Sequence, residues 1–407
     1  MEEQDLIYDW NTASAERFVP ARPIEFDDET LRDGLQSPSV FDPEIGDKVE
    51  ILHLMDELGI HIADIGLPGA GPRAREHVLA LAREIADNRL KIAADCAART
   101  VKEDITPVID ISQKVGIPIE VSTFIGSSPI RRYAEEWTLD MMLRKTEEAV
   151  TYVVENNLPV MYVTEDTTRA DRETIRRLYT TAIECGARRI CVCDTVGHAN
   201  PRGVRNLLTY VMEVVRGTGE EVKIDWHGHR DRGLSVPNTI EAIEMGVDRV
   251  HGTALGIGER VGNAPMDLIL VNLRVLGWID NDLTALPRYC EAVARACHVK
   301  IHDNYPVMGR DAFRTATGVH AAAVIKAQRK GDAWLADRVY SGVPAGLVGR
   351  EQEIDIGPMS GESNVIYWLQ KRGIEPTQEA VRKVFQKAKK SDHILTDEEV
   401  YRSLKEE

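Results

Sequence analysis

The 407-residue sequence lacks the features that several protein classes require. No apolar run approaches the roughly 18 residues of a spanning helix, there is no low-complexity tract, and 29% of residues are charged, so membrane-spanning and disordered classes are excluded. Positive charge is in deficit, with 50 Lys and Arg against 66 Asp and Glu and a formal charge of -16. Such a surface repels phosphate backbones and anionic membranes, so neither nucleic acid nor membrane is an expected partner. An anionic substrate would need a local arginine cluster or a metal ion. No CxxC pair occurs among Cys96, Cys185, Cys191, Cys193, Cys290 and Cys297, which read as reduced thiols of a cytoplasmic protein. The N-terminus MEEQDLIYDW lacks the basic and apolar regions of a signal or transit peptide.

What is present is a repeat. Eight β-rich runs begin near Ile24, His61, Leu90, Ile117, Leu158, Arg188, Val222 and Arg249, at intervals of about 32 residues, the length of a βα unit. Helical patterns lie between them, such as GDKVEILHLMDELG, stopping at Gly59, and PRGVRNLLTYVMEVVRG, stopping at Gly217. Alternation over about 250 residues predicts an α/β protein built on a (β/α)8 TIM barrel at 24–277, with an open doubly wound sheet as the alternative. Residues 1–23 form an N-terminal extension. Residues 278–407 read as a helical C-terminal appendage, ending in NVIYWLQKRG, EAVRKVFQKAKK and a polar tail.

Chemistry in such a barrel sits at the C-terminal strand ends. Strand seven ends in Asp225-Trp226-His227-Gly228-His229, where side chains two apart share a face, so both imidazoles can reach one metal ion. Strand one runs into Arg32-Asp33-Gly34, adding a carboxylate. One Asp with two His suits Mg2+, Mn2+ or Zn2+, and structural histidines are the competing reading. Strand eight leads into Gly256-Ile-Gly-Glu259-Arg-Val-Gly-Asn263, whose GxGxxxG spacing misses the dinucleotide fingerprint. Its glycines read as a sharp turn beside a ligand.

In this order DETLRDGLQ, DTVG, HGHRD and GIGERVGN resemble the DRE-TIM metallolyase superfamily, in particular its acyl-CoA-condensing synthases for 2-isopropylmalate, homocitrate and citramalate. The related hydroxymethylglutaryl-CoA lyases share DGLQ but carry a cysteine-containing loop after strand eight. The resemblance implies Asp33, His227 and His229 as ligands of a divalent metal ion, with Asn263 in or near the shell. It places Arg32 at the reacting carbonyl and Thr195 on the carboxylate of a 2-keto acid. In the appendage it gives His320 and Tyr340 a part in proton removal from acetyl-CoA, together with Glu259. Gln36, Arg99, Ser122, Thr164 and Arg230 complete the expected substrate-binding set. Arg32, Arg99, Arg230, Arg232 and Arg260 are expected to offset the chain's negative charge at the mouth.

Several positions depart from the commonest synthase pattern: DGLQ, HGHRD with Arg230, STFI with Ser122, and Thr164-Glu165-Asp166. Ser122 and Arg230 therefore bear on substrate choice. A branched aliphatic keto acid, 2-oxoisovalerate, is the first expectation, and 2-oxoglutarate or oxaloacetate the rival if Arg230 pairs with a second carboxylate. A barrel without catalysis is the alternative from another class. The resemblance also implies a homodimer. Only 51 residues follow Ile356, too few and too helical for the β-rich regulatory domain of full-length isopropylmalate synthases, so insensitivity to leucine is expected.

Overall fold

The computed structural model describes residues 6–12 and 18–405; the parts of the expected N-terminal extension at 1–5 and 13–17 lie outside the described residues. Eight parallel strands close into a barrel in sequence order: β1 Glu25–Asp28, β2 Ile62–Asp64, β3 Ala93–Arg99, β4 Ile119–Gly126, β5 Val160–Glu165, β6 Arg189–Asp194, β7 Lys223–Gly228 and β8 Arg249–Gly252. Closure is made by β1 on β8, in the register Glu25 to Arg249 through Asp28 to Gly252. Strands covered on both faces read as continuous buried runs, as in RICVCD of β6, where all six residues are buried.

The helices between strands start and stop for local reasons. Pro201 opens the helix Pro201–Thr218, and the Asn200 side chain accepts from the Gly203 N–H. That helix passes through the expected stop at Gly217 and ends at Gly219, whose φ of 73° supplies the left-handed cap. Gly59, with φ 76°, follows the helix Ile45–Glu57 as expected.

The barrel interior is charged. Alternation along β1 sends Asp27 and Glu29 inward, while Asp28 accepts a hydrogen bond from Tyr289 Oη outside the strands. At the centre, Asp225 accepts from Arg249 Nε at 2.6 Å, Arg189 Nη1 at 2.6 Å and His251 Nε2 at 3.1 Å. Arg249 also reaches Glu120 at 2.6 Å.

The chain divides into two compact units, one running to Asn281 and taking in Arg288–Val299, the other comprising Asp282–Pro287 and Lys300–Glu407. The expected boundary at 277 is thereby shifted. Most of the helix Leu286–Ala296 belongs with the barrel because Tyr289, Cys290, Val293 and Cys297 are buried there. The second unit is mainly helical, with a short parallel pair of Arg314–Thr315 and Glu353–Ile354. Its last segment corrects the expectation of a polar tail. Leu395 and Val400 join a core with Trp368, Leu369 and Val384, and Asp397–Lys405 is helical.

Burial works against the Asp225 carboxylate, yet Arg249, a hydrogen bond from His251 and Arg189 hold its pKa well below the usual carboxylate range. A depressed folded pKa stabilises the fold above the unfolded value of about 4, and that contribution is lost as pH falls through the folded value. Asp225→Asn leaves two buried guanidinium groups undercompensated and should destabilise the barrel by about 3–5 kcal/mol at neutral pH. Urea unfolding of the two proteins checks this; an unchanged midpoint contradicts it.

Candidate metal and substrate site

After β1 the chain turns tightly at the barrel mouth, with the N–H groups of Arg32 and Gly34 both donating to the Glu29 carbonyl. A Cβ at Gly34 would stand 3.0 Å from Ile257 Cγ1, so glycine lets this turn close against the loop after β8. In that loop a Cβ at Gly262 would lie 1.8 Å from the Gly256 carbonyl oxygen, and its φ is 105°. The loop folds back so that His229 and Asn263 form an antiparallel bridge.

These turns bring Asp33, His227 and His229 together, with one potential ligand atom from each lying within 4.8 Å of the others. Asp33 Oδ2 stands 3.7 Å from His227 Nε2 and 3.6 Å from His229 Nε2. These separations are too long for hydrogen bonds and slightly exceed the roughly 3–3.4 Å ligand-to-ligand edges of a metal polyhedron with ~2.1 Å bonds. Asp33 Oδ2 and Asn263 Oδ1 are buried without a hydrogen-bond partner, whereas Asn263 Nδ2 donates to the Ile257 carbonyl. Buried acceptors left open in this way fit a bound divalent cation.

The electrostatics divide the two imidazoles. Burial disfavours a charged His227, but Glu29, 2.7 Å from its Nδ1, raises its pKa to about 9. Burial and the neighbouring charge of His227 lower that of His229 to about 4. Arg32 is held by Asp64 at 2.5 Å, Glu29 at 3.0 Å and Asp33 at 3.1 Å, and these carboxylates overcome its burial and keep it fully charged.

A cavity of about 330 Å3 is lined by Arg32, Asp33, Gln36, Ser122, Thr195, His227, His229 and Glu259 of the expected set. Ser122 donates to Asp95 at 2.5 Å. Thr195 Oγ1 accepts from the Asp166 N–H at 2.8 Å, leaving its own hydrogen available to donate. The cavity wall also includes Phe124, Met161, Val163, Cys191 and Cys193.

Three expected substrate residues are placed elsewhere. Thr164 lies between the inward-facing Val163 and Glu165, and its buried hydroxyl meets Thr167 and Tyr179 at 2.7 Å each. Arg99 turns to Asp104, with Nε and Nη2 bonds of 2.7 and 2.8 Å. Arg230 follows His229, faces the opposite way and donates from Nε to the Val261 carbonyl, bracing the loop after β8. Arg232 donates to the His198 carbonyl, so of the arginines expected to bring positive charge only Arg32 and Arg260 line the cavity. In the second unit, the rings of His320 and Tyr340 stack with centroids 4.1 Å apart.

Glu29, Asp64, Glu165 and His251 were not singled out in the sequence. Glu165 lines the cavity, and burial raises its pKa. Period-two alternation from Met161 and Val163 would have selected it in place of Thr164.

Over residues 23–293 the chain matches the HMGL-like family, and it belongs to that family. A protein named homocitrate synthase AksA from Methanopyrus kandleri is 33% identical over 93% of this chain and 89% of its own length. One named 2-isopropylmalate synthase from Methanocaldococcus jannaschii is 30% identical over 88% of this chain and 65% of its own. Among solved structures, an HMG-CoA lyase from Bacillus subtilis superposes with a TM-score of 0.57 at 19% identity, covering 68% of this chain and 95% of that one, a likeness of fold.

The orphaned acceptors around Asp33 predict one Mn2+ ion per chain by isothermal titration. His229→Ala should weaken that binding by at least about tenfold without lowering the thermal midpoint; unchanged affinity would remove His229 from the shell.

Proposed function

We propose that the protein condenses acetyl-CoA with a 2-keto acid in a Claisen-type reaction and then hydrolyses the thioester. The keto acid we propose is uncharged in its side chain, with 2-oxoisovalerate and hence 2-isopropylmalate synthesis as the first choice. The observation that carries this reading is the cavity itself, in which the Asp33, His227 and His229 cluster and the Thr195 hydroxyl share a space with Phe124, Met161, Val163, Cys191 and Cys193. Both arginines lining it are already paired, Arg32 with three carboxylates and Arg260 with Asp231 at 2.7 Å. Among the described residues of the cavity wall, no unpaired guanidinium is left for a second substrate carboxylate.

Asp33, His227 and His229, with Asn263 Oδ1 beside them, would hold the divalent ion, which when bound polarises the keto oxygen and stabilises the charge that develops there. Thr195 donates to the substrate carboxylate. Arg32, fixed by its three partners, presents positive charge to the same oxygen or to the enolate without reorganising. Removing a weakly acidic methyl proton from acetyl-CoA needs a base. We assign this to His320, supported by Tyr340 and Glu259. Thioester hydrolysis releases CoA and makes the condensation effectively one-way.

A second reading is supported by the relatives named homocitrate synthase AksA, three of which align over 89 to 95% of their own lengths. It would place a dicarboxylic keto acid such as 2-oxoglutarate in the cavity.

Release of free CoA thiol with a panel of keto acids distinguishes these readings. We expect kcat/KM for 2-oxoisovalerate to exceed that for 2-oxoglutarate by about tenfold or more. The reverse order overturns the substrate choice, and absence of thiol release with every keto acid overturns the condensation. His320→Ala should lower kcat by about 10²–10⁴ with little change in keto-acid KM, as loss of a proton-transfer group does. Regained activity on mixing His320→Ala with Asp33→Ala chains would support a site built from two chains, in keeping with the homodimer that the resemblance implies.

A further inference from the structure

We propose that Glu29 is a positioning residue for the metal, setting the orientation of His227 and linking it to Arg32. This rests on the metal reading of Asp33, His227 and His229. Glu29 is 4% exposed and has three charged or ionisable neighbours. Its Oε2 is 2.7 Å from His227 Nδ1, and its Oε1 is 3.0 Å from Arg32 Nη2 and 3.1 Å from His251 Nδ1. With Nδ1 engaged, His227 turns Nε2 toward Asp33 and His229. A carboxylate on the non-coordinating nitrogen fixes the tautomer and ring angle of a metal-binding histidine and makes it a stronger donor.

Glu29, His227 and His251 are themselves close enough to suggest an alternative ion site. Their contacts argue otherwise. His251 Nδ1 is already engaged by Glu29 and its Nε2 by Asp225 at 3.1 Å, while His227 Nδ1 is taken by Glu29. The 2.7 Å between Glu29 Oε2 and His227 Nδ1 is shorter than the roughly 3–3.4 Å edge between two ligands of one ion. Around Asp33 Oδ2 the separations are 3.6 and 3.7 Å, wide enough to admit an ion; Asp33 Oδ2 and Glu29 Oε2 alike make no hydrogen bond, so it is the spacing that decides between the two clusters. Glu29 therefore supports the site from behind. Its own support is His251, anchored in turn on Asp225, so the charged interior of the barrel sets the angle of a ligand at its mouth.

The test is Mn2+ affinity of the full chain, measured by titration against a competing fluorescent chelator, with the visible absorption of bound Co2+ as a second readout. Glu29→Gln, nearly isosteric, should weaken Mn2+ about 10–100-fold and shift the Co2+ bands while leaving the far-UV circular dichroism unchanged. His251→Gln, which loosens Glu29 without touching the shell, should weaken Mn2+ in the same direction and carries the test if Glu29→Gln does not fold. Wild-type Mn2+ affinity and Co2+ bands in the folded variant would overturn the role of Glu29 alone. A wild-type chain that binds no Mn2+ would overturn the metal reading and this inference with it.

Discussion

Asp225 gathers Arg249, Arg189 and His251 on one buried carboxylate, and the arrangement of the barrel follows from that cluster. Barrels of this kind are usually filled with layers of branched apolar side chains. Here β1, β4, β6, β7 and β8 contribute Asp27, Glu120, Arg189, Asp225, Arg249 and His251 instead. Desolvating so many charges costs stability, and good pairing offsets it only while every partner stays in place. In return, a network of short bonds has fewer alternative arrangements than an apolar core and fixes side chains at defined angles.

That constraint reaches the mouth through one path. Asp225 fixes His251, His251 and Arg32 meet Glu29, and Glu29 stands against His227. The apolar part of the site lies on neighbouring strands, where Met161 and Val163 of β5 and Cys191 and Cys193 of β6 cluster. Strands seven and one thus present charge and candidate metal ligands, while five and six present an apolar wall of the cavity. The loop after β8 joins these parts, with Arg260 bonded to Asp231 and to the Thr195 carbonyl.

Period and punctuation made the barrel legible, since each strand starts within three residues of the run that predicted it. His227 and His229 were equally visible, because two-residue spacing fixes a shared face whatever surrounds it, and Asp33 because strand one runs into it. Thr164 shows where this reasoning needs its register: a shift of one residue along β5 exchanges the cavity for the helix-facing side. Arg99 failed for another reason. Its guanidinium is captured by Asp104 at the start of the next helix, a contact set by tertiary placement. Glu29 stood within DETLRDGLQ, yet its importance depends on His251, 222 positions away in sequence. The final helix was masked by its polar composition, since only a few residues, Leu395 and Val400 among them, reach its core.

A charged barrel interior that braces a candidate metal-binding cluster at the mouth should hold an ion there. Anomalous diffraction from crystals soaked in Mn2+ tests it most directly. One strong peak is expected about 2.0–2.3 Å from His227 Nε2, His229 and Asp33 Oδ2, with Glu29 still against His227 Nδ1. A peak between Glu29, His227 and His251, or none at the barrel mouth, would contradict it.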